Sequence, residues 1–264
     1  SCILLAGLYA DGETSVTEPA VTRDHTERML RTLGASVRSR DGQVSVTGRP
    51  TLKGTNLEIP GDLSSAAFVV LAALLAKDAQ VTIRSVGVNP TRTGVLDILK
   101  SMGADIELAN PRNLGAEPVA DLRVRSSALK GTKVDPALVS LAIDEFPVLF
   151  IAAAAAEGET VFDGLAELRV KESDRVAAMA QGLAALGIEV EETDDGAIVQ
   201  GGSLGTGVVD SRDDHRIAMS FAVAGTVASG PVTIHDVDNV ATSFPGFVEL
   251  LSELGAKISV ESSA

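Results

Sequence analysis

A fourfold internal repeat constrains the fold of this chain more than any single residue does. In the 264 residues, a tripeptide of one large apolar residue, Gly, and Ala or Ile stands at the end of an amphipathic helical pattern four times, with its glycines 69, 84 and 68 residues apart. Each copy follows an amphipathic helical pattern and precedes a β-rich stretch, so its glycine is expected to end the helix as a C-cap. The copies are Leu33-Gly34-Ala35, Met102-Gly103-Ala104, Leu186-Gly187-Ile188 and Leu254-Gly255-Ala256.

The first half of each repeat is a helical segment of small apolar residues, followed by a turn and a short strand. Helices without large side chains can approach one another closely, so these segments are expected in the interior. Hairpin turns at Asp41-Gly42 and Asp195-Gly196 predict a return strand in the first and third units. The small-residue segments are Ser1 to Ala10, Ser64 to Ala76, Pro147 to Ala156 and Ile217 to Ser229.

Together, these patterns predict an α/β (α+β) protein of repeated βαβαββ units. Its Ala-rich helices would lie inside, surrounded by sheets and by outer amphipathic helices. The stretch Thr51 to Pro60 is the best boundary between the first unit and the later three. The chain also opens within a helical pattern, without Met or a start signal, so we expect it to be a fragment.

Composition excludes several classes of function. The formal net charge of −14 disfavours nonspecific binding to nucleic acid or to acidic membranes. No apolar run reaches the roughly 18 residues that span a bilayer. The single cysteine, Cys2, fits a reducing, cytoplasmic compartment and is expected to be a buried small residue rather than a nucleophile. No Cys or His cluster has metal-ligand spacing, so we expect no metal.

The densest concentration of charge is the heptapeptide Arg169 to Arg175, with three cations and two acids at the start of a helix. Helix N-termini have free N–H groups and a partial positive charge, which favour anions. Over the first helical turn, Lys171, Glu172 and Arg175 would therefore combine anion binding with a carboxylate that can move protons. The alternative is a solvated helix start with local ion pairs.

Other polar clusters occupy corresponding helix starts in the repeat, and their convergence would hold a polyanionic substrate pair. Asp24, Asp62 and Asp174 are interpreted as ordinary helix caps. Asp144 is less easily explained as a cap, because it lies beside Glu145 just before a wholly apolar run. These clusters are Thr22-Arg23-Asp24-His25, Gly61-Asp62, Asp144-Glu145, Lys171-Glu172-Ser173 and Asp214-His215-Arg216.

With these residues assembled, the chain resembles the 5-enolpyruvylshikimate-3-phosphate synthase family. That family has six such units in two globular domains, with the active site in the cleft between them. The resemblance implies that residues 1–55 are the incomplete last unit of one domain and that residues 56–264 are three units of the second. The matching stretches include Thr22 to Thr26, Asn89 to Gly94, Asp144 to Pro147, Leu168 to Arg175, Asp214 to Met219 and Ala241 to Pro245.

The resemblance implies transfer of the enolpyruvyl group of phosphoenolpyruvate to the 5-hydroxyl of shikimate 3-phosphate, with release of phosphate. This is a reaction of the shikimate pathway, which leads to chorismate and the aromatic amino acids, and it needs no cofactor. The expected partners are these two substrates and a missing N-terminal segment of the same protein. That segment supplies further substrate ligands, so we expect the chain alone to be inactive.

Roles for individual residues also follow from the resemblance. Glu172 is expected to exchange the methylene proton, and Asp144 to bind the shikimate hydroxyls as the candidate base. Lys171 completes the catalytic set and would contact shikimate 3-phosphate. The implied substrate-binding residues are Arg23 and Lys171 for shikimate 3-phosphate, Asp144 for its hydroxyls, Arg175 and Arg216 for phosphoenolpyruvate, and His215 near the site with no defined role.

Two positions depart from parts of the family. Some members have Asn at the place of Glu167 and Lys at the place of Thr242, so neither residue receives a role. One alternative is a UDP-N-acetylglucosamine enolpyruvyl transferase, which shares the repeat but commonly uses a loop cysteine; the motif around Lys171 argues against it. The other is a noncatalytic fragment or binding scaffold.

Overall fold

The repeat is visible in the order of helices. The computed structural model describes residues 1–261 and alternates small-residue helices with amphipathic helices. The mixed helix and sheet architecture confirms the predicted fold class. In the described residues, the helices are α1 Cys2–Gly7, α2 His25–Thr32, α3 Leu63–Leu75, α4 Gly94–Ser101, α5 Val139–Ala142, α6 Phe146–Ala154, α7 Arg175–Ala185, α8 His215–Gly225, α9 Val240–Ser243 and α10 Phe247–Glu253.

The strands form small sheets, one in each unit. They are β1 Glu13–Thr17, β2 Val37–Arg40, β3 Gln43–Thr47, β4 Gln80–Gly87, β5 Asp105–Leu114, β6 Glu117–Arg125, β7 Glu159–Phe162, β8 Val190–Glu192, β9 Ala197–Gln200, β10 Gly207–Asp210 and β11 Val232–His235. In the first three units the sheet is antiparallel, and the last strand of the hairpin lies in the middle: β1-β3-β2, β4-β6-β5 and β7-β9-β8. The strands β10 and β11 pair in parallel.

Backbone dihedral angles explain where the helices and hairpins turn. The four repeat glycines, Gly34, Gly103, Gly187 and Gly255, have φ of +94°, +95°, +82° and +101°, which confirms the predicted C-caps. The hairpin turn after β2 has positive φ at both Asp41 and Gly42, as a type I′ turn requires. A third hairpin joins β5 to β6 and was not predicted from the sequence.

The small-residue helices α3, α6 and α8 pack against one another and form the centre of the larger core. Every residue of α6 is buried, and a Cβ added at Gly182 of α7 would overlap the ring of Phe221 in α8. Helices therefore approach closely where the sequence has its smallest residues. The amphipathic helices α4 and α7 bury one face and expose charged or polar residues such as Asp97 and Gln181.

The helix α1 departs from this arrangement. It buries only Leu4 and Gly7, whereas Ile3 and Leu5 are exposed. Cys2 is also exposed, so the expectation that it is buried is wrong. The physical reason is that, in the described residues, α1 packs along β1 and β3 with one side only.

The described apolar residues form two separate clusters. The smaller one joins Leu4, Leu30, Ala35, Val37, Val44 and Val46, and the larger one extends from Leu63 to Leu251. Residues 48–62, which connect them, contribute to neither cluster. This separation supports our proposal that residues 1–55 and 56–264 belong to two different domains.

A helical run from Pro136 to Ala154 has 19 residues and a mean hydropathy of 1.9, which by length and composition alone would suffice for a membrane span. The segment is longer than the uninterrupted apolar run in the sequence, because 3₁₀ turns at 136–138 and 143–145 join α5 and α6, and the second turn contains Asp144 and Glu145. Two thirds of the apolar window is buried within the fold. The segment therefore belongs to the core.

The strand expected before each small-residue helix is complete only in the fourth unit, as β10. In the second and third units it is reduced to isolated parallel bridges such as Gly61 with Val86 and Lys133 with Val161. The β-rich stretch after Gly255 forms no strand up to residue 261, because no neighbouring strand pairs with it in that range. Residues 262–264 lie outside the described part of the chain.

Candidate active site

The charged heptapeptide is fixed at both ends before it contributes to a site. Asp174 caps α7 by accepting a hydrogen bond of 3.0 Å from the Ala177 amide. Arg169 Nη1 lies 3.1 Å from an Asp174 oxygen and 3.2 Å from one of Glu192. Arg169 and Asp174 are therefore structural, and the residues between them, Lys171, Glu172 and Ser173, are held in a defined loop.

Arg175 lies at the centre of the cluster and is almost completely buried. Its Nη2 donates to Glu172 Oε2 at 2.6 Å, and its Nε donates to Asp214 Oδ2 at 2.8 Å. Its Nη1 lies 3.8 Å from Asp144 Oδ1. One guanidinium thus joins carboxylates from three segments that are far apart in the sequence.

Asp214 anchors this arrangement from the start of α8. Its fully buried carboxylate caps the helix through the Arg216 amide at 2.9 Å and accepts from Ser173 Oγ at 3.0 Å. Burial alone would raise the pKa of Asp214, but the hydrogen bond and charge of Arg175 and the capping amide outweigh it and lower the pKa below its ordinary value. The sequence placed Asp214 beside the site without a role; its signal was an Asp directly before a helix.

Asp144 receives contacts from both parts of the chain. Arg23, in the loop before α2, forms a hydrogen-bonded ion pair with its carboxylate. Arg216 Nη1 donates to its backbone oxygen at 3.0 Å. Burial would raise the pKa of Asp144, but the hydrogen bond from Arg23 and the charges of Arg216, Arg23 and Lys171 outweigh it and lower the pKa. Asp144 is therefore an ionised acceptor at neutral pH, and it lies inside a helical run rather than capping one.

The remaining predicted residues lie around the carboxylates of Asp144 and Asp214. Lys171 Nζ donates to Glu167 Oε1 at 2.6 Å, so Glu167, which received no role from the sequence patterns, is a neighbour of the site. The Glu172 side chain is about half exposed, in contrast to Arg175 beneath it. His215 begins α8, where burial and the charge of Arg216 lower its pKa below 6.5. The imidazole is thus neutral at pH 7.

The cap predictions had mixed outcomes. Asp62 and Asp174 cap α3 and α7 through the amides of Ser65 and Ala177, as predicted. Asp24 occupies the N-cap position of α2 but makes no cap bond, so its interpretation as a cap is wrong.

Asp24 is instead part of a polar contact between the first unit and the second. Its carboxylate accepts from Arg28 Nε at 2.8 Å and from the buried Asn89 Nδ2 at 2.6 Å. His25 Nδ1 lies 2.8 Å from Glu117 Oε1, a pairing that no sequence pattern indicated. Because Arg23 directly precedes Asp24, this contact helps to hold Arg23 near Asp144.

Two cavities lie near the cluster but do not contain its central residues. A cavity of about 320 Å³ lies between α2, residues 57–63 and the β5–β6 hairpin, and a second of about 520 Å³ lies between residues 20–21 and the run that begins at Pro136. Asp144, Lys171 and Glu172 line neither cavity, although Glu167 borders the second. Within residues 1–261, no group of three or more His, Cys, Asp or Glu side chains is arranged to hold a metal ion.

Comparison with known proteins identifies the family to which the chain is related. The family model described as EPSP synthase (3-phosphoshikimate 1-carboxyvinyltransferase) matches residues 1–251. Proteins named 3-phosphoshikimate 1-carboxyvinyltransferase are 57% identical over 258 residues in Legionella pneumophila and 58% identical over 261 residues in Methylococcus capsulatus. Each match covers 98% of this chain, which spans 60% of the length of each relative.

Solved structures give the same result. The EPSP synthase of Acinetobacter baumannii superposes with a TM-score of 0.94 at 53% identity, covering 98% of this chain and 60% of that one. The enolpyruvyl transferase NikO of Streptomyces tendae, at 22% identity and a TM-score of 0.78 over 99% of this chain and 59% of that one, shares the fold. Because the family model matches residues 1–251, nearly the whole of this chain, the chain belongs to the EPSP synthase family.

Proposed function

We propose that this chain forms one side of the active site of a 3-phosphoshikimate 1-carboxyvinyltransferase. The observation that carries the proposal is the cluster around Arg175, which joins Glu172, Asp214 and Asp144, with Arg23 and Arg216 bound to Asp144. The names of relatives that are 56–58% identical support the same reaction.

The substrates explain why so many cations are needed. Phosphoenolpyruvate and shikimate 3-phosphate each carry a carboxylate and a phosphate, and guanidinium groups bind such anions through paired hydrogen bonds. Arg23 and Lys171 serve shikimate 3-phosphate, while Arg216 serves phosphoenolpyruvate. Arg175 is 1% exposed, so it reaches phosphoenolpyruvate only when its bond to Glu172 opens.

Without substrates, the site cations are neutralised by the protein's own carboxylates. Arg23 pairs with Asp144, Lys171 with Glu167, and Arg175 with Glu172. Substrate anions replace these partners on binding, which releases Asp144 and Glu172 for chemistry. This exchange keeps the cations oriented in the free protein at little cost in affinity, because one ion pair is exchanged for another.

The proton transfers follow from the two released carboxylates. Asp144, ionised at neutral pH, accepts the proton of the 5-hydroxyl while the hydroxyl oxygen bonds to C2 of phosphoenolpyruvate. Glu172 donates a proton to the methylene carbon, which gives a tetrahedral adduct. The C2–O bond to phosphate then breaks, the proton held by Asp144 passes to the departing phosphate, and Glu172 takes one proton back from the methyl group. The products are the enolpyruvyl ether and inorganic phosphate.

The reaction belongs to a protein longer than this chain. The chain spans 60% of the length of its relatives, and we propose that the remainder supplies the opposite side of the cleft and further ligands for both substrates. The chain alone would then be an inactive scaffold. We also propose that the protein is cytoplasmic and has no nucleic-acid or membrane partners. The net charge of −14 on this chain disfavours both kinds of partner, and its longest apolar helix is largely buried in the core.

Phosphate release from shikimate 3-phosphate and phosphoenolpyruvate tests the proposal, with the chain alone and with the chain extended to the length of its relatives. We expect turnover by the extended protein only. A matched control is Glu107→Gln, which removes a surface carboxylate that pairs with Arg123 far from the site and should leave turnover unchanged. Absence of turnover by a folded extended protein, or robust turnover by the chain alone, would contradict the proposal.

A further inference from the structure

Directly beneath the site lies a buried carboxylate to which the proposed reaction gives no role. Glu145 is 2% exposed and belongs to the 3₁₀ turn that connects α5 to α6. A buried carboxylate is costly unless cations and hydrogen-bond donors surround it. Its neighbours therefore show why the fold accommodates it.

Three elements converge on Glu145 Oε1. Ser64 Oγ, in the first turn of α3, donates a hydrogen bond to it. Arg92 Nη2, in the loop before α4, lies 3.4 Å from the same oxygen and also donates to Ser64 Oγ. Arg216 Nη1, in the first turn of α8, lies 4.0 Å away. One carboxylate oxygen thus lies between two guanidinium groups.

The position of Arg216 depends on this arrangement. Its Nη1 group donates to the backbone oxygen of Asp144 at 3.0 Å and faces the Glu145 carboxylate next to it. Arg92 and Arg216 are both mostly buried, and without Glu145 they would face each other as two like charges in a region of low dielectric. Glu145 therefore both attracts Arg216 and screens it from Arg92.

We infer that Glu145, held by Ser64 and Arg92, is a positioning residue that fixes Arg216 for the carboxylate and phosphate of phosphoenolpyruvate. The inference rests on the proposed function, because it assigns Arg216 to that substrate. Glu145 does not touch the reacting atoms; it acts through Arg216 and through the backbone of Asp144.

The test is steady-state kinetics of Glu145→Gln in the protein extended to the length of its relatives. Glutamine preserves the shape and the hydrogen bond to Ser64 but removes the charge. We expect the KM for phosphoenolpyruvate to rise about tenfold, which corresponds to about 1.4 kcal/mol. We expect the KM for shikimate 3-phosphate to change less than twofold. If the variant fails to fold, Glu145→Asp, which shortens the reach by one methylene, permits the same comparison.

A second variant distinguishes positioning from structural support. In Glu145→Gln the only carboxylate still near Arg92 among the described residues is Asp62, at 3.8 Å. Adding Arg92→Gln removes the cation that then faces Arg216, so the KM for phosphoenolpyruvate should recover to within threefold of the wild-type value. If Glu145 only supported the fold, the double variant would instead have a higher KM for phosphoenolpyruvate than either single variant. An unchanged KM for phosphoenolpyruvate in Glu145→Gln, or an equal rise in both KM values, would overturn the inference. Failure of the wild-type extended protein to make the enolpyruvyl ether would instead refute the proposed function.

Discussion

Replacing Asp214 by Ala should be the most destabilising change of a charged residue at the site. Asp214 is fully buried and accepts hydrogen bonds from Arg175 at 2.8 Å, from Ser173 at 3.0 Å and from the Arg216 amide at 2.9 Å. Its loss leaves the Arg175 guanidinium, which is 1% exposed, without its main partner. Removing one member of a buried ion pair costs about 3–5 kcal/mol, and losing an N-cap costs ~1 kcal/mol. Because one carboxylate makes all these contacts, we expect a total of about 4 kcal/mol.

The assay is urea unfolding at pH 7, followed by circular dichroism. Asp174→Ala is the matched control, because Asp174 also caps a helix and pairs with an arginine but is partly exposed. We expect it to lose ~1 kcal/mol of unfolding free energy. Asp214→Asn keeps an acceptor oxygen for the cap and should lie between the two. If Asp214→Ala lost no more than Asp174→Ala, the reasoning about the buried pair would be refuted.

The pH dependence of the same contact has a definite sign. The folded-state pKa of Asp214 lies below the ordinary value of 3.8. A lowered carboxyl pKa stabilises the fold fully above the unfolded-state value, and this stabilisation disappears as the pH falls through the folded-state value. The difference in unfolding free energy between the wild type and Asp214→Asn should therefore be constant from pH 7 to about pH 5 and should shrink below pH 4.

Three further predictions concern the chemistry and the core. In the extended protein, Glu172→Gln should lower kcat at least a hundredfold while changing both KM values less than threefold; an unchanged kcat would remove its proton-transfer role. In the chain alone, the His215 imidazole should titrate below pH 6.5 in NMR spectra, because burial and the charge of Arg216 disfavour its protonated form, and a midpoint above 6.5 would contradict this. Gly182→Ala should cost about 1–3 kcal/mol in the same urea assay, because the new methyl group overlaps the Phe221 ring; a neutral effect would show that α7 and α8 are less closely packed than described.

Local patterns were sufficient to predict the repeat and the helix ends. The four repeat glycines adopt positive φ because glycine does so with less strain than residues that have a Cβ, and the interior helices consist of small residues because their neighbours approach closely. The charged residues Glu172 and Arg216 could also be singled out from the sequence, since they lie beside the starts of α7 and α8, where clustered charge is easily recognised. These features depend on a few residues that are close to one another in the sequence, so a local pattern is enough to predict them.

Features that depend on contacts between units were not predictable. Asp24 looks like a cap, but Arg28 and Asn89 compete for its carboxylate. Arg175 was expected to bind phosphoenolpyruvate, yet it is almost completely buried and faces the carboxylates of Asp144, Glu172 and Asp214. The role of Glu145 likewise required knowing that Arg92 lies beside it, 53 residues away in the sequence. In each case at least one deciding partner, such as Asn89, Asp214 or Arg92, is distant in the sequence and close in space.

The fate of an isotope label tests the proposed enolpyruvyl transfer most directly. Phosphoenolpyruvate that carries ¹⁸O in the bridge between C2 and phosphorus is incubated with shikimate 3-phosphate and the extended protein, and the products are weighed by mass spectrometry. We predict an unlabelled enolpyruvyl ether and singly labelled inorganic phosphate, with neither product formed by Glu172→Gln at a comparable rate. Label retained in the organic product, or formation of pyruvate without the ether, would contradict the proposed transfer at this site.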